Sequence, residues 1–180
     1  MARLFVALSI PDAVREALST LQNGVDGARW RPLENFHITL AFIGEADRHQ
    51  FNDAIDALSQ IEAPAFDLAL AGAGAFGERK PRALWAGVKN EPGLAHLQHK
   101  VETGLRRAGF ELEARKFTPH VTLAYLKAAR RDDVLRYCAA NELFSAAPFC
   151  VREFHLYSSR LGGGASHYEI EASYSLSSSK

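Results

Sequence analysis

The sequence has little cysteine, no net charge and no long apolar run, and each absence removes a class of protein. Its two cysteines, Cys138 and Cys150, make neither a disulfide framework nor a Cys-x-x-Cys metal pair, which points to a reducing, cytoplasmic setting. Lys plus Arg number 21 and Asp plus Glu number 21, so no overall basic field exists to hold long nucleic acid by counterion release. A nucleic-acid role would have to rest on a local site. No stretch approaches the roughly 18–20 apolar residues that span a bilayer, so no membrane partner is expected. Residues 4–10 follow Arg3 as a leader's apolar core would, yet they run into Pro11, Asp12 and Arg15 with no small-residue cleavage site. They read as a first strand.

What is present is ordinary for a globular chain: 180 residues, 47% hydrophobic and 23% charged, enough to bury a substantial core. The apolar periods place helices at about 12–21, 47–61, 92–108 and 131–140. In the third, Leu94, Leu97, Val101 and Leu105 form one stripe that ends at Arg106, Arg107 and a C′ glycine, Gly109. Val134, Leu135 and Cys138 make the sparse apolar side of the fourth. Strands are predicted at 3–10, 36–43, 66–70, 83–88, 120–125, 149–157 and 167–176, with Gly162, Gly163 and Gly164 as a hairpin turn. No segment reads as a linker. Helices mixed with hairpin-joined strands favour an α+β fold with antiparallel sheet.

One feature rises above fold class. His37-Ile38-Thr39-Leu40 and His120-Val121-Thr122-Leu123 share the pattern His, apolar, Thr, Leu, and each continues with Ala. In a strand, His and Thr two apart emerge on one face while Ile38, Leu40, Val121 and Leu123 anchor the other. Strict alternation puts Phe42 and Tyr125 on the anchoring side and leaves Ala41 and Ala124 on the polar side, where their small size makes room for a ligand.

Two imidazoles and two hydroxyls facing one cleft suit phosphodiester cleavage without metal. One imidazole takes a proton from the attacking oxygen and the other gives one to the departing oxygen. Each Thr hydroxyl can donate to a non-bridging oxygen as charge gathers there.

These residues resemble the two-histidine phosphoesterase superfamily, and within it the RNA 2′,3′-cyclic phosphodiesterases first described as 2′-5′ RNA ligases. The resemblance runs nearly end to end: RLFVA from Arg3, WRPLENFHITLAFIG from Trp30 to Gly44, PRALWAGV from Pro81 to Val88, FTPHVTLA from Phe117 to Ala124, and LYSSRL from Leu156 with Tyr168 and Glu169. It implies one domain over residues 1–180, built of two pseudo-symmetric lobes flanking a cleft, with one motif from each lobe (37–40 and 120–123). It also implies His37 as proton donor to the leaving 3′ oxygen and His120 as the base that activates water, giving a 2′-phosphate. The expected partners are RNA 3′ ends or small cyclic-phosphate nucleotides, met by a monomer needing no cofactor.

Many members of that family carry Arg directly after the second HxTLA, where this chain has Tyr125. Arg115, five residues before His120, is the leading substitute for that cation. Trp85 lies in one of the family-like blocks, where core packing or an ion pair is the favoured role; exposed, it could stack a terminal base. His96 and His99, three apart on the third helix, have no carboxylate or cysteine placed to complete a metal site, and they read as surface residues. The same residues would also serve a 2′-5′ linkage, an ADP-ribose cyclic phosphate, reversible 2′-5′ ligation, or an RNA-end binding module without turnover.

Overall fold

The computed structural model describes residues 2–162 and 165–178. Among them the chain runs β1 (Ala2–Ser9), α1 (Asp12–Ser19), β2 (Ala28–Trp30), a 3₁₀ turn (Leu33–Asn35), β3 (His37–Ala46) and α2 (Arg48–Ser59). There follow β4 (Phe66–Leu68), β5 (Leu70–Phe76), β6 (Ala83–Val88), α3 (Pro92–Arg107), β7 (His120–Leu126), α4 (Arg131–Ala140), β8 (Phe149–Val151), β9 (Glu153–Gly162) and β10 (Ala165–Ser175). The α+β expectation holds. One antiparallel sheet runs β10-β9-β1-β3-β7-β6-β5, β2 adds to β7, and β4 pairs with β8 apart from it.

The helices form where the periods place them. Pro92 opens α3 and Glu91 caps it by accepting from the Gly93 amide, while Gly109 leaves it with φ of 92°. A reciprocal Asp47–Gln50 capping box starts α2. The stripe Leu94, Leu97, Val101 and Leu105 is buried in one core cluster with Ile38, Leu40, Val121 and Leu123. In α4 the buried side is Val134 with Tyr137, whose hydroxyl donates to the Leu21 carbonyl; Leu135 is left exposed. The expected strand at 66–70 divides into β4 and β5, and that at 149–157 into β8 and β9. Of the expected glycine turn, Gly162 ends β9, and residues 163–164 lie outside the described residues. No helix among them is long and apolar enough to cross a membrane.

Two features of the sheet position the site. First, β3 and β7 pair through a single register, Ile38 opposite Val121. Second, both motif strands carry a bulge at the same place. Val6 pairs with Ala41 and Ala7 with Thr39, passing over Leu40; Leu84 pairs with Ala124 and Trp85 with Thr122, passing over Leu123. The extra residue reverses the alternation beyond it. Leu40 and Ala41 are therefore both buried, as are Leu123 and Ala124, while Phe42 and Tyr125 turn out to 40% and 50% exposure. Ala124 leaves the polar face and Ala41 touches the cavity only as a buried residue; the two aromatics take the place that strict alternation gives the alanines.

Candidate active site

The two histidines are held in the same way. His37 Nδ1 lies 2.8 Å from the Asn35 carbonyl and His120 Nδ1 2.8 Å from the Thr118 carbonyl, in each case the residue two before. In the neutral ring Nδ1–H donates to that carbonyl, and the Nε2 lone pair is left for a ligand. Asn35 is itself buried and fastened, its side-chain amide donating to the Ser166 carbonyl on β10. Pro119 separates Thr118 from His120 and keeps that approach extended.

Aromatic rings surround both imidazoles. Phe5 lies 4.9 Å from the His37 ring and Tyr168 meets it edge-on at 5.3 Å, with Tyr157 stacked on Phe5 at 5.1 Å. Phe76 meets the His120 ring edge-on at 4.8 Å. Burial pushes His37 down to about 4, with the charges of Arg31 and His120 acting in the same direction and the Asn35 hydrogen bond opposing. His120 is also lowered, by burial first, against its hydrogen bond to Thr118, and then by the charge of Arg115. Both shifts favour the uncharged imidazole at neutral pH.

A cavity of about 500 Å³ opens along this face. Thr39, His120 and Thr122 line it together with Phe42, Phe76 and Tyr125, and Arg82, Arg115 and Lys116 bring positive charge to it. Of the predicted residues, the two motifs meet at one seam through Ile38 and Val121; Thr39, His120, Thr122, Arg115 and Tyr125 line the cavity, while His37 lies outside its lining. The Arg115 side chain is 69% exposed and 3.5 Å from Glu113. Trp85 stands outside the lining. Its ring occupies the space that a side chain at Gly74 would need, 2.2 Å from a Cβ built there, and packs against Phe76. It supports the wall of the cavity, the packing role that the sequence favoured over a base platform.

Several site residues were not singled out by the motif. Phe42 reaches the cavity through the bulge, and Phe5, Tyr157 and Tyr168 reach His37 from distant strands. Arg31 lies beside the motif in sequence, but its place depends on partners remote from it: its guanidinium is 5.4 Å from the rings of both Tyr125 and Tyr168 and donates to the Tyr168 hydroxyl at 2.8 Å. Among the described residues no group of three or more His, Cys, Asp or Glu is placed to hold a metal ion, and His96 and His99 are exposed on α3.

Residues 10–163 match the model of the 2′-5′ RNA ligase superfamily. The chain belongs to this superfamily. It is 33% identical over 163 residues to an RNA 2′,3′-cyclic phosphodiesterase of Geobacillus stearothermophilus, covering 85% of this chain and 51% of that protein. The chain thus spans about half the length of that relative. Against an RNA 2′,3′-cyclic phosphodiesterase of Archaeoglobus fulgidus the identity is 32% over 165 residues, covering 88% of this chain and 92% of the other. Among solved structures, Escherichia coli LigT complexed with 3′-AMP superposes with a TM-score of 0.80 at 27% identity, over 97% of this chain and 98% of that one. Both His-x-Thr motifs of this superfamily member, and the carbonyls of Asn35 and Thr118 that fix its imidazoles, fall inside the matched span.

Proposed function

We propose that this superfamily member hydrolyses 2′,3′-cyclic phosphate ends of RNA to 2′-phosphates, using two imidazoles and no metal. One observation carries the reading: two histidines on adjoining strands, each with Nδ1 tied to the carbonyl two residues back, each followed by a Thr on the same face. The names of the relatives agree with it.

In the reaction, His120 Nε2 takes a proton from water as the water oxygen attacks phosphorus. The P–O3′ bond breaks and His37 Nε2 gives its proton to the departing 3′ oxygen, leaving the 2′-phosphate. Thr39 and Thr122 donate to the non-bridging oxygens, where charge gathers in the transition state. The phosphate anion itself favours the charged imidazolium, so its entry raises the pKa that burial lowers and lets His37 hold a proton. Arg115 draws the anionic end toward His120, and Tyr125 offers a face for a base.

The acting unit in this reading is one monomer and one domain, since one chain supplies both motifs and one sheet joins them. A cytoplasmic setting suits two free cysteines.

The test is incubation of purified protein, in EDTA, with a short RNA ending in a 2′,3′-cyclic phosphate, and chromatographic separation of 2′- from 3′-phosphate products. The expected product is the 2′-phosphate, lost in His37→Ala and in His120→Ala. Activity abolished by the chelator, or persisting in both variants, would overturn the reading.

A further inference from the structure

We propose that Arg31, clamped between Tyr125 and Tyr168, forms an anion subsite that takes a phosphoryl oxygen of the substrate at the His37 edge of the cleft. The inference rests on the function proposed above and names a residue through which that site recognises its charge.

The backbone carries Arg31 there. β2 pairs with β7 so that Arg29 faces Tyr125 and Trp30 faces Ala124, and the Arg31 amide donates to the Leu123 carbonyl at 2.8 Å. Arg31 is thus the diagonal neighbour of Tyr125, close enough for a long side chain to lie over its ring. The bulge at Leu123 presents that ring to the cleft. From the other side Tyr168, on β10, offers its ring and hydroxyl, and the same Tyr168 meets His37 edge-on at 5.3 Å.

The charge has no internal use. Among the described residues no carboxylate pairs with Arg31, whereas Arg15, Arg106, Arg115, Arg136 and Arg160 each have one. Its partners are two π faces and a neutral hydroxyl. They fix the direction of the guanidinium and leave its charge uncompensated. A half-buried cation held beside a proposed catalytic imidazole, in a protein whose net charge is zero, is matched by an anion from outside. The planar fork suits two phosphoryl oxygens.

The proposal separates Arg31 from Arg115. Arg115 is mostly exposed, paired with Glu113 and close to His120, so it acts on approach. Arg31 is positioned by packing and acts on the bound anion, near the histidine that gives up its proton.

The test is calorimetric binding of adenosine 2′-monophosphate and of inorganic phosphate to the intact protein, beside steady-state kinetics on the cyclic-ended RNA. Arg31→Gln is expected to weaken both ligands by about 10- to 100-fold, the range of a charge-assisted hydrogen bond, and to raise KM in step. Arg31→Lys keeps the charge without the fork and should restore part of the affinity. Tyr168→Phe removes only the orienting hydroxyl and provides a second variant with little effect on packing; it should weaken binding several-fold.

Affinities within twofold of wild type in Arg31→Gln, or in Tyr168→Phe should Arg31→Gln fail to fold, would overturn the subsite. Absence of any phosphate binding by the wild-type protein would do the same. If wild type binds but turns over no cyclic-ended RNA, and Arg31→Gln loses the binding, the subsite stands and the proposed reaction falls.

Discussion

Ile38 and Val121 face each other across the seam between β3 and β7, each the middle residue of its own His-x-Thr triplet. Antiparallel strands meeting at equivalent positions define a local two-fold axis. His37 is carried to the side of Thr122, and Thr39 to the side of His120. The distance between the imidazoles is therefore set by two fully buried aliphatic side chains. Ile38→Ala should cost about 2–5 kcal/mol of stability by leaving a cavity, and Ile38→Val about 1. Leu97→Ala, elsewhere in the same core cluster, is the control for stability alone. Denaturant melts paired with kcat should show Ile38→Ala losing more turnover than Leu97→Ala at equal loss of stability. Equal kcat in the two would mean that the seam does not set the imidazole spacing.

The twin bulges place Phe42 and Tyr125 at the cavity as equivalent aromatics, each with an arginine over its ring, Arg3 at 5.0 Å and Arg31 at 5.4 Å. A base stacked on such a face contributes about 1–3 kcal/mol. Phe42→Ala and Tyr125→Ala are each expected to raise KM for a cyclic-ended dinucleotide about tenfold or more, with kcat changed little. Since stacking is indifferent to base identity, the loss should be similar for adenine and uracil ends. Unchanged KM in both variants would remove the two rings from substrate binding.

The places where sequence and structure part company have a common physical origin. The α3 stripe from Leu94 to Leu105, with Pro92 before it and Gly109 after it, was legible because each signal is local. So were the two motifs. The inversion of Phe42 and Tyr125 was not, because a bulge is a property of the pairing between two strands, and neither Leu40 nor Leu123 announces it in composition. The clamp on Arg31 joins residues 137 positions apart, and nothing local marks Gly74 as the residue that the Trp85 ring packs over. The four side chains proposed to react, with Arg115 and Tyr125 beside them, could be named from the sequence; Phe5, Phe42, Tyr157 and the clamp on Arg31 could not.

Gly74 gives that wall a direct test. A Cβ there would meet the Trp85 ring at 2.2 Å, with the Phe76 ring next to it and His120 beyond. Gly74→Ala is expected to displace the indole, costing roughly 1–3 kcal/mol as overpacking does. It should also lower kcat through the loosened Phe76–His120 contact. Fluorescence of the two-tryptophan protein reports the displacement, and the paired variant Gly74→Ala, Trp85→Phe should recover part of both losses. A Gly74→Ala protein with wild-type stability and kcat would show that the wall yields without consequence.

The lowered histidines fix the expected pH dependence. The proposed reaction needs one proton on the imidazole pair: with two the base is lost, and with none the acid is lost. In the free protein burial holds His37 near 4 and holds His120 below its ordinary 6.5. As pH rises through the upper of these values the pair gives up its only proton, so kcat/KM should fall roughly tenfold per pH unit on the alkaline side. As pH drops through the lower value both rings become charged and kcat/KM falls again. The maximum of kcat/KM is therefore expected between about 4 and 6.5, whichever ring holds the proton in the free protein. The profile of kcat reports the complex, where the bound phosphate favours imidazolium, and should lie at higher pH. Rates measured at constant ionic strength across pH 4 to 9 distinguish the two profiles. A kcat/KM optimum above 7 would show that the imidazoles are better solvated than their aromatic surroundings imply, and coincident profiles would show that the bound anion does not reach them.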